Sequence, residues 1–190
     1  MKRIIFPAAF AALLTALPAR AELETFTVDP EHTFPAFEIG HFGYSFQRGR
    51  FNKSSGQITL DTVARKGSAD IAIDTGSVST GHAKLEEHLR SEDFFNTAKY
   101  PQMTFKSNDF AFDGDKLKSA AGDLTINGVS RPVTLRAEHF NCAPHPMSKK
   151  KVCGAELTTS IKRSDFGIKT YLPVLADDVM LRINVEAVKD

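Results

Sequence analysis

The sequence predicts an all-β protein: an antiparallel β-barrel of about eight strands, with one short helix inserted near residues 80–91. Apolar and polar residues alternate with a period of two through most of the chain, which is typical of strands with one buried face. The turn-forming pairs Asp113-Gly114 and Asn127-Gly128 separate alternating segments. A long sheet with one apolar face must close or fold over, so the pattern fits an up-and-down barrel or a two-sheet sandwich.

The first 21 residues have the features of a secretory signal peptide. Two basic residues, Lys2 and Arg3, precede an apolar run that ends at Leu17, and small residues follow at positions 19 and 21. The run is shorter than the roughly 20 residues of a transmembrane helix. We therefore expect cleavage after Ala21, a periplasmic or secreted protein, and no stable membrane insertion. An uncleaved membrane anchor is the alternative.

Residues 22–190 are expected to form one domain with nearly balanced charge. Removal of Lys2, Arg3 and Arg20 with the signal peptide leaves 21 basic residues (24 minus 3) against 23 acidic ones, a formal charge of −2. A nucleic-acid-binding domain would carry a concentrated basic face. The charge balance therefore argues against nucleic acid as a partner.

The alternating segments define the strands in order along the chain. They are "ETFTVD", "TFPAFEIGHF", "GQITLD", "SADIAIDTG", "QMTFKSNDFAFDGDKLK", "AAGDLTING", "RPVTLRAEHF", "GAELTTSIKR" and "DDVMLRINVEAVKD". In "SADIAIDTG", Ala69, Ile71 and Ile73 share one face. The stretch "GHFGYSFQRGRF" is interpreted as one bent strand whose glycines relieve crowding.

One segment, "STGHAKLEEHLRS" from Ser79 to Ser91, has helical spacing instead. Leu85 and Leu89 lie four residues apart and are expected to face inward. Glu86 and Arg90 form a favourable pair at the same spacing and are expected to face water.

The two cysteines, Cys142 and Cys153, bracket the loop "NCAPHPMSKKKVC". In an exported protein this pair predicts a disulfide that clamps the loop, worth roughly 3 kcal/mol in the chain-entropy model. A redox or metal-binding role is the weaker interpretation because neither a CxxC motif nor zinc-knuckle spacing is present.

Candidate catalytic and metal-binding groups do not form the patterns that such chemistry requires. There is no G-x-S-x-G nucleophile elbow. The 6 histidines show neither HxH nor HExxH spacing, and no cluster of Asp and Glu accompanies them. We therefore expect no catalytic residue, no metal site and no cofactor. An enzyme that uses His41 or His88 as a base ranks last.

The aromatic content is dominated by phenylalanine, with 15 Phe against 3 Tyr and no Trp. Phe has no polar group, so the interior is expected to be strongly apolar. A small barrel can fill its interior with side chains or hold one small ligand. Periodicity alone leaves both possibilities open.

Five motifs occur in order: "VDPEHTFPAFEIGHFG", "GRFNKSSGQITLD" with "IDTGSVSTG", "HLRSEDFFNTAKYPQMTFKS", "GDLTINGVSRPVTL" and "RSDFGI". Through them the chain closely resembles the YceI-like family of exported polyisoprenoid-binding proteins. The resemblance implies a lipocalin-like barrel that holds a long polyisoprenoid, or a related lipid such as a quinone, without chemistry. It also makes a homodimer a reasonable expectation. The alternative is a non-enzymatic envelope stress or interaction module with a solid core.

The resemblance also implies which residues form the ligand site. They are Phe37, Ile39, His41, Phe42, Phe46, Leu89, Phe94, Phe95, Met103, Phe105, Leu124, Ile126 and Ile161. These assignments depend on strand register, because a shift of one residue turns a strand over. If the segment after the helix is extended, only one of Phe94 and Phe95 faces inward.

Overall fold

The structure is a computed structural model that describes residues 23–61 and 63–190. The predicted signal peptide, residues 1–21, lies outside the described residues. Within them, no helix is long and apolar enough to cross a bilayer.

The described residues form eleven strands and one α-helix, with short 3₁₀ helices at Thr75–Ser77 and Arg163–Phe166. The bounds are β1 Glu24–Val28, β2 Phe34–His41, β3 Ser45–Phe51, β4 Ser54–Asp61, β5 Lys66–Asp74, β6 Val78–Ser79, α1 Ala83–Arg90, β7 Gln102–Asp113, β8 Lys116–Ile126, β9 Val129–Pro144, β10 Lys151–Lys162 and β11 Leu175–Lys189.

Eight of these strands close into an antiparallel barrel in the order β1-β4-β5-β7-β8-β9-β10-β11, and β1 completes the ring by pairing with β11. The long β11 pairs with β1 near its carboxyl end and with β2 over its first ten residues. From β2 the sheet continues to β3 and β6. The predicted barrel is therefore confirmed, and the sandwich alternative is wrong.

The segment between β5 and β7 crosses one end of the barrel. Because β5 and β7 are neighbours in the sheet, residues 75–101 leave the ring and return to it. On the way, β6 pairs with β3 through Arg50 and Ser79, and α1 follows. This excursion places the helix and the aromatic residues after it over the end of the barrel interior.

Helix α1 is shorter than the predicted helical segment and is capped at its start. The His82 ring accepts a hydrogen bond from the Leu85 N–H at 3.1 Å. Glu86 accepts bonds from the N–H groups of Thr80, at 2.7 Å, and Gly81, at 3.0 Å, and the first of these contributes most to lowering the pKa of Glu86. The Glu86 carboxylate therefore binds backbone rather than simply facing water.

The opposite end of the barrel carries the predicted disulfide. Cys142 on β9 and Cys153 on β10 are directly paired residues of neighbouring strands, and their sulfur atoms are bonded. The disulfide links the two ends of the loop between β9 and β10. The disulfide predicted from the sequence is therefore confirmed.

Candidate ligand-binding cavity

The barrel interior is a cavity of about 620 Å³ rather than a filled core. Its volume lies within the range of roughly 300 to 1,000 Å³ found for small-molecule sites. Inward-facing aliphatic and aromatic side chains from every strand of the ring line it. Their alternation with outward residues shows in β7, where Met103 and Phe105 are buried while Gln102 and Lys106 are exposed.

With the exception of Phe46, the residues predicted for the ligand site lie in the cavity wall. They are Phe37, Ile39, His41, Phe42, Leu89, Phe94, Phe95, Met103, Phe105, Leu124, Ile126 and Ile161. They come from β2 and the turn after it, α1 and the turns after it, β7, β8 and β10. Closure of the barrel brings these distant segments together around one space.

Phe46 does not line the cavity, and the reason is strand parity. The chain reverses at residues 42–44, so β2 and β3 form a hairpin in place of the predicted bent strand. Phe46 pairs with Gly40, while the inward-facing Ile39 and His41 pair with Gln47 and Ser45. Phe46 therefore shares the outer face of the sheet and is 60% exposed.

Phe94 and Phe95 both contact the cavity, because the segment after α1 is folded into turns and is not extended. The Phe94 N–H donates to Ser91 O at 3.2 Å, and the Phe95 N–H donates to Leu89 O at 3.0 Å. Adjacent side chains in a strand point to opposite faces, but adjacent side chains in a compact turn can point the same way. The expectation that only one of the two rings faces inward was conditional on extended backbone, which is absent here.

The two rings occupy different parts of the wall. Phe95 packs edge-on against Phe51, with ring centroids 5.3 Å apart, and lies 6.4 Å from Phe37. Phe94 lies 5.0 Å from the ring of His88 and 6.4 Å from that of Tyr171. Phe95 thus belongs to the apolar wall, and Phe94 belongs to the polar end described next.

Polar side chains of the wall concentrate at the end covered by α1. They include His41, His82, His88 and Tyr171, and the rings of His88 and Tyr171 lie 6.0 Å apart. The most exposed lining residues, such as Phe42 and Tyr171, also lie at this end. The cavity therefore opens to solvent at this end, which we call the mouth.

The side chain of Asn127, in the turn between β8 and β9, holds Phe94 in place. Its amide Nδ2 donates to Phe94 O at 2.6 Å. Asn127 and Gly128 both have positive φ, 50° and 73°, as the sequence signal for a tight hairpin predicts. The Asn127 Oδ1 atom is buried without a hydrogen-bond partner among the described residues.

Arg163 is a site residue that the sequence reasoning missed. It lines the cavity, is only 4% exposed, and donates to four backbone carbonyls between residues 168 and 176, among them Thr170 O at 2.9 Å and Ala176 O at 2.8 Å. Burial lowers the pKa of its guanidinium group. These bonds fix the segment that carries Tyr171 to the mouth. The detectable signal is an arginine placed directly after an alternating strand and before apolar Phe166.

A second group of polar residues lies outside the cavity wall. The ligand-type atoms of Asp29, His32 and Glu186 lie within 4.8 Å of one another, although the sequence shows no such clustering. Asp29 Oδ2 and His32 Nδ1 are 2.8 Å apart. This hydrogen bond lowers the pKa of Asp29 and raises that of His32. An ion pair that ties the connection between β1 and β2 accounts for the arrangement.

Comparisons with known proteins agree with this architecture. Residues 26–187 match the family model described as a YceI-like domain. The chain is 41% identical over 194 residues to Protein YceI of Escherichia coli O157:H7, covering 100% of this chain and 99% of the relative.

Solved structures show the same fold. The YCEI protein of Campylobacter jejuni aligns with 35% identity and a TM-score of 0.70 over 80% of this chain and 90% of that chain. A polyisoprenoid binding domain from Saccharophagus degradans aligns with 19% identity and a TM-score of 0.66 over 89% of this chain and 100% of that chain. Because the family model spans most of the chain and a relative of high identity covers it fully, the protein belongs to the YceI-like family.

Proposed function

We propose that this protein is a non-enzymatic carrier, exported to the periplasm, that holds a long-chain polyisoprenoid or a related lipid such as a quinone inside its barrel. The observation that carries the proposal is the cavity of about 620 Å³ with an almost wholly apolar wall and a polar mouth. A long apolar chain with a small polar head matches that distribution.

The energetics favour a ligand of this kind. At about 0.8 kcal/mol per buried CH₂, each five-carbon isoprene unit contributes a gross stabilisation of about 4 kcal/mol. The loss of ligand freedom on binding removes much of the sum. Several units still leave a net gain without a strong polar anchor. The polyisoprenoid binding domain from Saccharophagus degradans, which shares the fold, supports the same ligand class.

The composition of the wall supports binding without catalysis. Among the described residues, the cavity lining contains neither a carboxylate nor a free thiol, since Cys153 is in a disulfide. General acid–base and nucleophilic mechanisms need paired groups within hydrogen-bond reach of a substrate. His41 and His88 lie at the mouth. His88 Nε2 is 3.3 Å from Asp93 Oδ2, but Asp93 is not part of the cavity lining, so this pair does not face the enclosed space.

Extraction of the purified protein tests the proposal. The full chain is expressed in a Gram-negative bacterium, recovered by osmotic shock, and extracted with organic solvent for mass spectrometry. We expect release of a long-chain isoprenoid from the shock fluid preparation. An empty protein that also fails to take up added polyprenol would instead favour the ligand-free interaction module. Retention in the cytoplasm after osmotic shock would contradict export.

A further inference from the structure

Five large apolar side chains at the mouth are exposed to solvent. Phe42, Tyr44 and Phe46 are 46%, 90% and 60% exposed, and Tyr171 and Val174 are 51% and 61% exposed. Phe42, Tyr44 and Phe46 lie at the β2–β3 turn and the start of β3. The other two precede β11. We call these residues the mouth rim. Exposed apolar residues that occur singly need no explanation, but a contiguous group does.

The two segments of the mouth rim form one surface that is continuous with the cavity. His41, which precedes the turn, pairs with Leu175, which follows Val174. Phe42 and Tyr171 are both part of the cavity lining as well as being exposed. An apolar path therefore runs from solvent-exposed rings at the rim into the barrel.

Backbone strain accompanies this exposure. Phe42 has a φ of 52° and Tyr171 a φ of 62°, so a bulky aromatic residue holds left-handed backbone in each of the two segments of the mouth rim. Large side chains rarely adopt this conformation, and such outliers concentrate at functional sites. The strained backbone directs both rings to the boundary between cavity and solvent.

The area of the mouth rim is too small for a stable dimer. With 150–250 Å² per aromatic residue, the exposed fractions of the four aromatic residues of the rim correspond to about 500 Å² of accessible surface. A stable protein–protein interface buries roughly 800 Å² on each partner. Tyr44 and Tyr171 also combine an apolar ring with a hydroxyl group, the property that enriches tyrosine at membrane–water interfaces.

We infer that the mouth rim is a docking surface for a lipid bilayer, from which the apolar ligand passes directly into the cavity. The inference rests on the proposed carrier function. A long isoprenoid partitions strongly into membranes, and its transfer through water would expose its whole apolar surface. Seating the mouth rim among the lipid headgroups joins the apolar interior of the bilayer to the cavity and avoids that exposure.

Co-sedimentation of the full chain with vesicles of phosphatidylethanolamine and phosphatidylglycerol tests this inference. The double variant Tyr44→Ser, Phe46→Ser removes two exposed rings that lie outside the cavity lining, so ligand capacity is preserved. We expect its vesicle partition coefficient to fall about tenfold or more relative to the unmodified chain.

The matched control is Val63→Ser, Met147→Ser, which removes exposed apolar side chains that are 63% and 83% exposed. They lie in the β4–β5 and β9–β10 connections, at the end of the barrel opposite α1. We expect this variant to sediment with vesicles like the unmodified chain. An equal loss in both double variants, or no vesicle binding by the unmodified chain, would overturn the inference.

Sedimentation velocity without vesicles tests whether the mouth rim instead binds a second copy of the protein. A dimer that dissociates in the Tyr44→Ser, Phe46→Ser variant, with no vesicle binding, would overturn bilayer docking in favour of self-association. The carrier function is scored separately by extraction. A protein that releases isoprenoid on extraction but does not bind vesicles refutes only the bilayer-docking inference. A protein that binds vesicles through the mouth rim but never contains lipid refutes only the proposed carrier function.

Discussion

Replacement of Phe95 by arginine places a charge in the apolar wall of the cavity. The Phe95 ring lies 5.3 Å from that of Phe51 and 6.4 Å from that of Phe37. Phe95 is half-buried and is part of the cavity lining. The substitution Phe95→Arg therefore tests whether this space holds an apolar ligand.

The magnitude of the effect on binding follows from two losses. The ligand loses contact with the ring, which is worth about 1 kcal/mol because part of a Phe side chain contributes part of its 1.5–3 kcal/mol of burial. An arginine that stays in the wall must also be desolvated when an apolar chain fills the cavity, which costs several kcal/mol. A total of at least about 2.8 kcal/mol corresponds to a hundredfold loss of affinity.

The ligand-free protein loses only part of its stability. Each lost aromatic pair costs about 0.5–1.5 kcal/mol beyond the burial of the ring, so two pairs and about 1 kcal/mol of lost burial reduce the free energy of unfolding by about 2–4 kcal/mol. The arginine remains solvated because its long side chain can extend through the empty cavity towards the mouth. We therefore expect a folded protein that has lost most of its lipid affinity.

The assay is titration with a fluorescent polyprenol in the absence of vesicles, together with urea unfolding of the ligand-free protein. Phe95→Leu keeps the wall apolar and should bind within a few-fold of the unmodified chain. Phe46→Arg makes the same chemical change on the outer face of the barrel and should bind normally. Retained affinity in a folded Phe95→Arg protein would refute the cavity as the binding site. A loss of more than about 5 kcal/mol of ligand-free stability would indicate a filled core.

Three further predictions concern the residues that support the site. Asn127→Gly keeps the left-handed turn but loses the hydrogen bond to Phe94 O, whereas Asn127→Ala loses the same bond and adds the cost of left-handed backbone. Urea unfolding should therefore show the Ala variant to be about 1 kcal/mol less stable than the Gly variant, and equal unfolding free energies would contradict this. Arg163→Met leaves several buried backbone carbonyls without a hydrogen-bond donor, so it should lower the free energy of unfolding by about 3 kcal/mol or more, and Arg163→Lys should have an intermediate effect. An unchanged urea midpoint would refute the structural role of Arg163. The Asp29–His32 pair should stabilise the folded protein most between about pH 4 and 6.5. Its contribution should decline as the pH falls through the lowered pKa of Asp29 or rises through the raised pKa of His32. If the difference in unfolding free energy between the unmodified chain and Asp29→Asn does not vary with pH, this ion pair is excluded.

Local pattern was enough to predict most strands and the helix. Residues that alternate within one strand, such as Ile71 and Ile73, face the cavity together because the period of a strand is two. The hairpin at Asn127-Gly128 was also predictable, since those residue types tolerate positive φ. Each of these features is set within a few residues of sequence.

The hairpin between β2 and β3 was missed because its chemistry is unusual. The N–H of Tyr44 donates to His41 O at 3.0 Å, and the central residues Phe42 and Gly43 have φ values of 52° and 76°. Turns with two positive φ values normally carry Asn-Gly or Asp-Gly. With an aromatic residue in the first central position, the sequence does not indicate a turn. As a result, Phe46 was assigned to the inner face of the sheet although it lies on the outer face.

The sequence by itself determined the fold class, the family and which face of each strand is apolar, because alternation, turns and ordered motifs are local properties. Only the tertiary structure decided that the interior is a cavity, that both Phe94 and Phe95 reach it, and that Arg163 supports the mouth. The physical reason is that barrel width, strand stagger and the path of residues 75–101 arise from closure of the whole ring. Alternation states which residues face inward, but closure sets how much space remains between them.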